Sequence, residues 1–315
     1  MEASEQRFRV MASEAHIIVV GAPDRLFSDA RAHLDHLEQL WSRFLLHSDV
    51  TRINTAAGCS VEVDGDTLTL FDTMIDAWHL TGGRYDPTVL PALIAAGYGA
   101  SKEDGQRVTV IPSGDLRVGG MAGVEIDQAR RTITVPAGVV VDAGGIGKGL
   151  AADLTVARLI DAGARGALVS IGGDMAMAGG APHADGWIVT VEHPDGADGD
   201  LCTVSVSGGG VATSSTRSRT WNHDGRPRHH LIDPASAAQS TTDLAAVTVI
   251  ARSGWLADAH ATAALLSGSD GVLGYLDRHD LTGLAIPVVG SPLITSDLEG
   301  LAYNVPVDNV TTGPW

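Results

Sequence analysis

Cysteine is nearly absent from this chain of 315 residues: Cys59 and Cys202 stand far apart and form no metal-type spacing. Two thiols give no disulfide framework for a protein of this size, which fits a reducing compartment. Basic side chains are also scarce, 21 against 38 acidic ones, for a formal charge of −17. Such a surface repels phosphate backbones, so nucleic acid is excluded as a partner. No apolar run of about 18 uncharged residues occurs, which excludes a membrane-inserted helix. The opening Met1-Glu2-Ala3-Ser4-Glu5-Gln6 has no basic segment leading into an apolar one, so a cytoplasmic protein is expected. Hydrophobic residues at 44% and charged residues at 19% are ordinary globular values and indicate neither disorder nor a coiled coil.

Glycine is plentiful at 38 residues and comes in short clusters, a mark of tight turns and of backbone lying against a ligand. Around those clusters the periodicities alternate. Residues 15–20 read as a strand, 22–24 as a turn, and 25–44 as a helix through Leu26, Ala30, Leu34, Leu37, Leu40 and Trp41. A second helix spans 66–80 and stops at Gly82-Gly83. Alternation at 107–111, 124–126 and 132–135 predicts short strands, as do 167–171, 187–192, 201–206 and 245–250. Further helices are expected from the turn at 144–149 to about 162, over 255–267 and over 271–277. Without sustained strand–helix alternation or repeats, the pattern predicts one compact α+β domain, residues 1–315 with a core at about 11–290.

An anionic ligand of so acidic a protein needs a local device, and Asp142-Ala143-Gly144-Gly145-Ile146-Gly147-Lys148-Gly149 has the layout of one. Strand passes into glycine turn and then helix, so N–H groups, helix dipole and Lys148 would all face an anion. Gly149 follows Lys148 where a Walker-type loop needs Ser or Thr, and Leu150 takes the last glycine position of G-x-G-x-x-G. A tight strand-to-helix connection with a solvated lysine is the plainer reading. In the helix at 255–267, Asp258 and Thr262 are one turn apart and share a face. A carboxylate, a hydroxyl and a nearby carbonyl suit Mg²⁺; the plainer reading is a solvated or capping Asp.

Three other segments carry candidate chemistry. Tyr85-Asp86-Pro87-Thr88-Val89 is either a ligand loop or a proline turn with a capping Asp. In Arg228-His229-His230-Leu231-Ile232-Asp233-Pro234, a histidine beside a polyphosphate would serve as general base, or the pair are strand residues. Trp41-Ser42-Arg43-Phe44 and Ile53-Asn54 either line an aromatic pocket or close the first helix.

Taken in order, these motifs resemble the ApbE family, the FAD:protein FMN transferases. The family's Asp-Leu-Gly-Gly-Ile-Ala-Lys-Gly is similar to 142–149, its Asn-Leu-Gly-Gly-Asp to 170–174 and its His-His-Ile-Ile-Asp-Pro to 229–234. Ala-Asp-Ala-x-Ala-Thr-Ala is met by 257–263, Phe-Asp-Pro-Thr-Val by 85–89 and Ser-x-x-Asn by 51–54. The resemblance runs from about Met11 to Gly268. The chain departs at Thr213-Ser214-Ser215-Thr216-Arg217, where the family carries Thr-Ser-Gly and an aromatic, and at Met11-Ala12-Ser13, where it carries Met-Gly-Thr. The resemblance implies ApbE-like, T-fold-like mixed sheets with packed helices, and a Mg²⁺ held by the Gly145 carbonyl, Asp258 and Thr262. FAD is the implied substrate, met by Met11, Phe44, Tyr85, Asp86, Lys148, His230 and Leu231. A Thr or Ser hydroxyl of an acceptor flavoprotein would attack the FMN phosphorus and release AMP. His230 is the expected base, with Asp258 as the alternative through the metal sphere. Two rival activities share these residues: FAD hydrolysis to FMN and AMP, and FAD binding without chemistry.

Overall fold

Strands that are neighbours in the chain's central sheet follow one another in the sequence, and each excursion returns beside the strand it left. A computed structural model describes residues 2–303 except 22, 24 and 195–199, together with 311–312. The central sheet runs through β1 (Ala3–Val10), β2 (Ser13–Val20), β3 (Gly166–Ile171), β4 (Asp174–Gly179), β5 (Gly209–Ser215), β6 (Leu244–Ala251), β7 (Thr282–Pro287), β8 (Leu293–Ile294) and β9 (Thr311–Thr312). All pairs are antiparallel except the last. The helices are α1 (Arg25–Trp41), α2 (Asp49–Thr55), α3 (Gly65–Leu80), α4 (Leu90–Ala95), α5 (Gly147–Asp161), α6 (Gly254–Leu265) and α7 (Gly268–Arg278).

The middle of the sheet is covered on both faces, so β3, β6 and β7 are apolar on both sides, while the edge strand β1 is largely exposed. On β3, Ala167, Val169 and Ile171 enter one core and Leu168 the other. Helices α5 and α6 lie side by side on the first face, with α1 against α5 and α7 against α6. The opposite face meets a small antiparallel sheet of Trp187–Glu192, Asp200–Val206 and Ala302–Tyr303. Its first strand alternates strictly, with Trp187, Val189 and Val191 buried and Ile188, Thr190 and Glu192 exposed. This mixed α+β architecture is the expected class.

Several elements differ from the sequence expectations. The first helix ends at Trp41, not at about 44. Residues 107–111 form no strand and make only the Val108 bridge to Ala100. Strands β1, β4, β5 and β7 were not expected; β4 and β5 carry Gly, Ala and Ser, whose weak strand preference is overridden by pairing on both sides. Residues 22 and 24 of the expected turn lie outside the described residues. No helix among the described residues is long and apolar enough to cross a membrane.

Candidate functional site

The starts of α5 and α6 and of strand β5 converge on glycine. A Cβ on Gly149 would sit 2.5 Å from the Gly254 carbonyl oxygen, and one on Gly210 would sit 2.3 Å from the Gly254 nitrogen. Only glycine lets the three backbones approach this closely. Ser253 makes no side-chain cap for α6. Asp153 of α5 takes that role, its two carboxylate oxygens accepting from the Gly254 and Trp255 N–H groups at 2.8 Å. Burial lifts the Asp153 carboxyl to about 6, against those two donors.

The helix pairing fixes where the α6 side chains point. Asp258 is buried, and its carboxylate accepts from the Gly149 N–H at 3.4 Å. Thr262, one turn on, lies 2.9 Å from the Ser214 hydroxyl on β5. His260 between them turns to α7, where Nδ1 is 2.7 Å from the Tyr275 hydroxyl. The segment leading into the glycine turn is held by Asn54, whose amide bonds both the Val141 N–H and carbonyl at 2.8 Å. Asn54 is therefore a buried backbone clamp and not a pocket residue.

Two adjoining cavities lie over this junction. One, of about 120 Å³, is lined by Met11, Trp41, Arg43 and Phe44; the other, of about 180 Å³, by Tyr85, Asp86, His230, Leu231, Asp258 and Thr262. Gly145 lines the second, while Tyr98, Asp142, Gly144, Lys148 and Arg219 line both. All the residues anticipated for cofactor, metal and catalysis thus reach one bipartite cleft. Asp86 also caps the following turn, accepting from the Thr88 N–H at 2.8 Å, which is the capping arrangement expected of an Asp-Pro turn. The two residues joining β1 to β2, Met11 and Ala12, have φ of 51° and 55°. Such a turn favours Asn-Gly, and here the Met11 N–H is pinned by Glu38 at 3.0 Å.

Charge inside the cleft is concentrated. Lys148 pairs with Asp174 at the start of β4, and Arg43 pairs with Asp142 at 3.2 Å while its guanidinium lies over the Phe44 and Tyr98 rings. Burial pulls the Lys148 ammonium down to about 8, against the Asp258 carboxylate, which favours the charged form. Burial raises the Asp258 carboxyl, opposed by Lys148 and the Gly149 N–H. Burial, helped by Arg219 and Lys148, lowers His230 to about 3, and its Nδ1 has no hydrogen-bond partner among the described residues. His230 is thus a neutral imidazole at physiological pH. Burial likewise lifts the Tyr85 hydroxyl, which is also without a partner there.

The donors grouped on α6 and the glycine turn are hard oxygens: one buried carboxylate, a hydroxyl and a carbonyl. That set, with a carboxylate that burial disfavours as an anion, fits an oxygen-seeking divalent cation. The other cluster suited to a cation among the described residues, His36, Asp64 and Asp66, lies outside both cavities. There Asp64 caps α3 and Asp66 faces Arg158. Sequence reasoning did not assign Asp174, Ser214 or Arg219 to the site, and it named Arg43 and Asp142 only as members of longer candidate segments. The Gly172-Gly173-Asp174 corner offered a signal for Asp174; Ser214 and Arg219 become neighbours only through the sheet.

The ApbE family's sequence profile matches residues 11–285. The FAD:protein FMN transferase of Haemophilus influenzae is 22% identical over 271 residues, covering 84% of this chain and 78% of that protein. The FAD:protein FMN transferase of Klebsiella pneumoniae is 27% identical over 282 residues, covering 83% and 78%. Among solved structures, the ApbE protein of Thermotoga maritima superposes with a TM-score of 0.84 at 25% identity, covering 95% of this chain and 99% of that one.

Proposed function

The chain belongs to the ApbE family, and from that premise we propose that it is a magnesium-assisted FAD:protein FMN transferase acting on a Thr or Ser hydroxyl of an acceptor protein. The observation that carries this reading is the bipartite cleft: two chambers joined at a cationic neck, with oxygen donors and a neutral histidine opening into the second. A dinucleotide has that form, two ring systems joined by a diphosphate. In the reaction, the acceptor hydroxyl oxygen forms a bond to the FMN phosphorus while the phosphoanhydride bond to AMP breaks. AMP leaves with the bridging oxygen.

The residues divide this work. Lys148 and the N–H groups at the start of α5 receive the diphosphate. His230, neutral and with a free ring nitrogen, takes the hydroxyl proton, and the entering phosphates favour its protonated form. The Gly145 carbonyl, Asp258 and Thr262 would hold Mg²⁺, which when bound polarises phosphoryl oxygens and offsets developing charge. Ser214 fixes the Thr262 hydroxyl.

The test is incubation with FAD, Mg²⁺ and a candidate acceptor flavoprotein. Covalent, fluorescent flavin on the acceptor is the expected result; AMP release without labelling identifies a diphosphatase, and unchanged bound FAD a binding module. Asp258→Asn should reduce labelling by about 10²–10³-fold. Undiminished Mg²⁺-dependent labelling by that variant would remove Asp258 from the proposed metal site.

A further inference from the structure

Building on the transferase reading, we propose that Arg219 is a substrate-contacting residue that grips the FAD diphosphate at the neck between the chambers. The other cations that line the cleft are already engaged. Arg43 is committed to Asp142 and to the Tyr98 carbonyl, Lys148 to Asp174, Arg107 to Asp104, and Arg84 lies 3.4 Å from the Leu266 carbonyl. Arg219 alone among these cleft-lining cations makes no hydrogen bond or ion pair with the described residues, and it lines both chambers. Its charge is felt by Lys148, His230 and Asp258, the groups arrayed around the reacting phosphorus in this reading.

A diphosphate brings two negative charges into a cleft already holding the carboxylates of Asp142, Asp174 and Asp258. Lys148, neutralised by Asp174, leaves much of that charge unanswered. A guanidinium can meet two phosphate oxygens at once through its fork of N–H donors. The backbone favours a fixed post for it: Arg219 has φ 48°, a left-handed conformation that costs a non-glycine residue on the order of 1 kcal/mol and clusters at ligand clamps. The Trp221 ring, two residues on, is stacked on Tyr98 at 5.1 Å and donates to the Ala96 carbonyl at 2.8 Å, which anchors the strand that follows.

Fluorescence titration of wild type, Arg219→Gln and Arg219→Lys with FAD and with riboflavin tests this, in Mg²⁺ buffer and again with EDTA. Riboflavin keeps the ring system and lacks the phosphates. Arg219→Gln should weaken FAD by about tenfold or more and riboflavin by less than about twofold, with Arg219→Lys between. Arg226→Gln, which removes an exposed charge from the same hairpin, should leave FAD affinity within about twofold. Equal losses for both ligands, or no loss for FAD, overturn the proposal. Wild-type protein that labels its acceptor while Arg219→Gln binds FAD normally sinks this inference alone. Wild-type protein that binds no FAD sinks the transferase reading and this inference with it.

Discussion

The two faces of the central sheet are both buried, yet they are built from different materials. The face under the small sheet is packed with Trp187, Val189, Val191, Val204, Val206, Leu168 and Met177, and among its buried core residues only Cys202 titrates. The face under α5 and α6 contains backbones at glycine contact, and Asp153, Asp174, Asp258 and Thr262 project from the same layer. Large side chains fill space and hold layers apart. Small ones bring helix starts close together and leave room for polar groups to reach a cleft. The small-sheet face therefore supplies apolar packing alone, while the helix-covered face combines a large apolar core with the groups that carry chemistry.

Exchanging damage between the faces breaks or sharpens this contrast. Trp187→Ala removes a fully buried ring and should lower unfolding free energy by about 3–5 kcal/mol, while FAD affinity stays within about twofold. Urea unfolding and FAD titration read the two effects, and a large affinity loss would show the faces to be coupled. Gly149→Ala should cost less stability, about 1–3 kcal/mol, because the new methyl must displace the Gly254 carbonyl. It should also weaken FAD binding markedly, since that carbonyl lies at the start of the helix bearing Asp258 and Thr262.

The smallest effect concerns pH. His33 on α1 and His260 on α6 are each buried and lowered by that burial to about 4. From the ordinary value of 6.5, the unfolded chain takes up protons that the folded chain refuses. Stability is therefore unaffected above about pH 6.5 and falls as the pH drops toward 4. Both His33 ring nitrogens lack partners among the described residues, so a leucine there sacrifices no hydrogen bond. His33→Leu should match wild type at pH 7 and exceed it at pH 5 in urea midpoint. An unchanged pH slope would show that His33 does not carry the effect. The sheet-covered core has no buried histidine among its described members and contributes nothing to this slope.

The long amphipathic helices and the strictly alternating strand at 187–192 were legible because their periodicity reflects a single buried face. Strands β4 and β5 were not, since Gly, Ala and Ser declare no preference until neighbours pair with them. In the cleft, the 142–149 turn and the Asp258–Thr262 spacing were visible, being set within one turn of chain. Asn54 was misleading for the same reason: nothing local shows that its amide serves Val141, 87 positions away.

The sequence by itself determined the acidic character, the α+β class, the glycine-rich turn at 142–149 and the carboxylate–hydroxyl pair on α6. Each is a property of composition or of contacts within a few residues. Only the tertiary structure decided that Lys148 answers Asp174, that Ser214 holds Thr262, that Asp153 caps α6 and that Arg219 stands at the neck without a partner among the described residues. Those outcomes depend on how closely α5, α6 and β5 approach, and that distance is set by glycines far apart in the chain meeting in space.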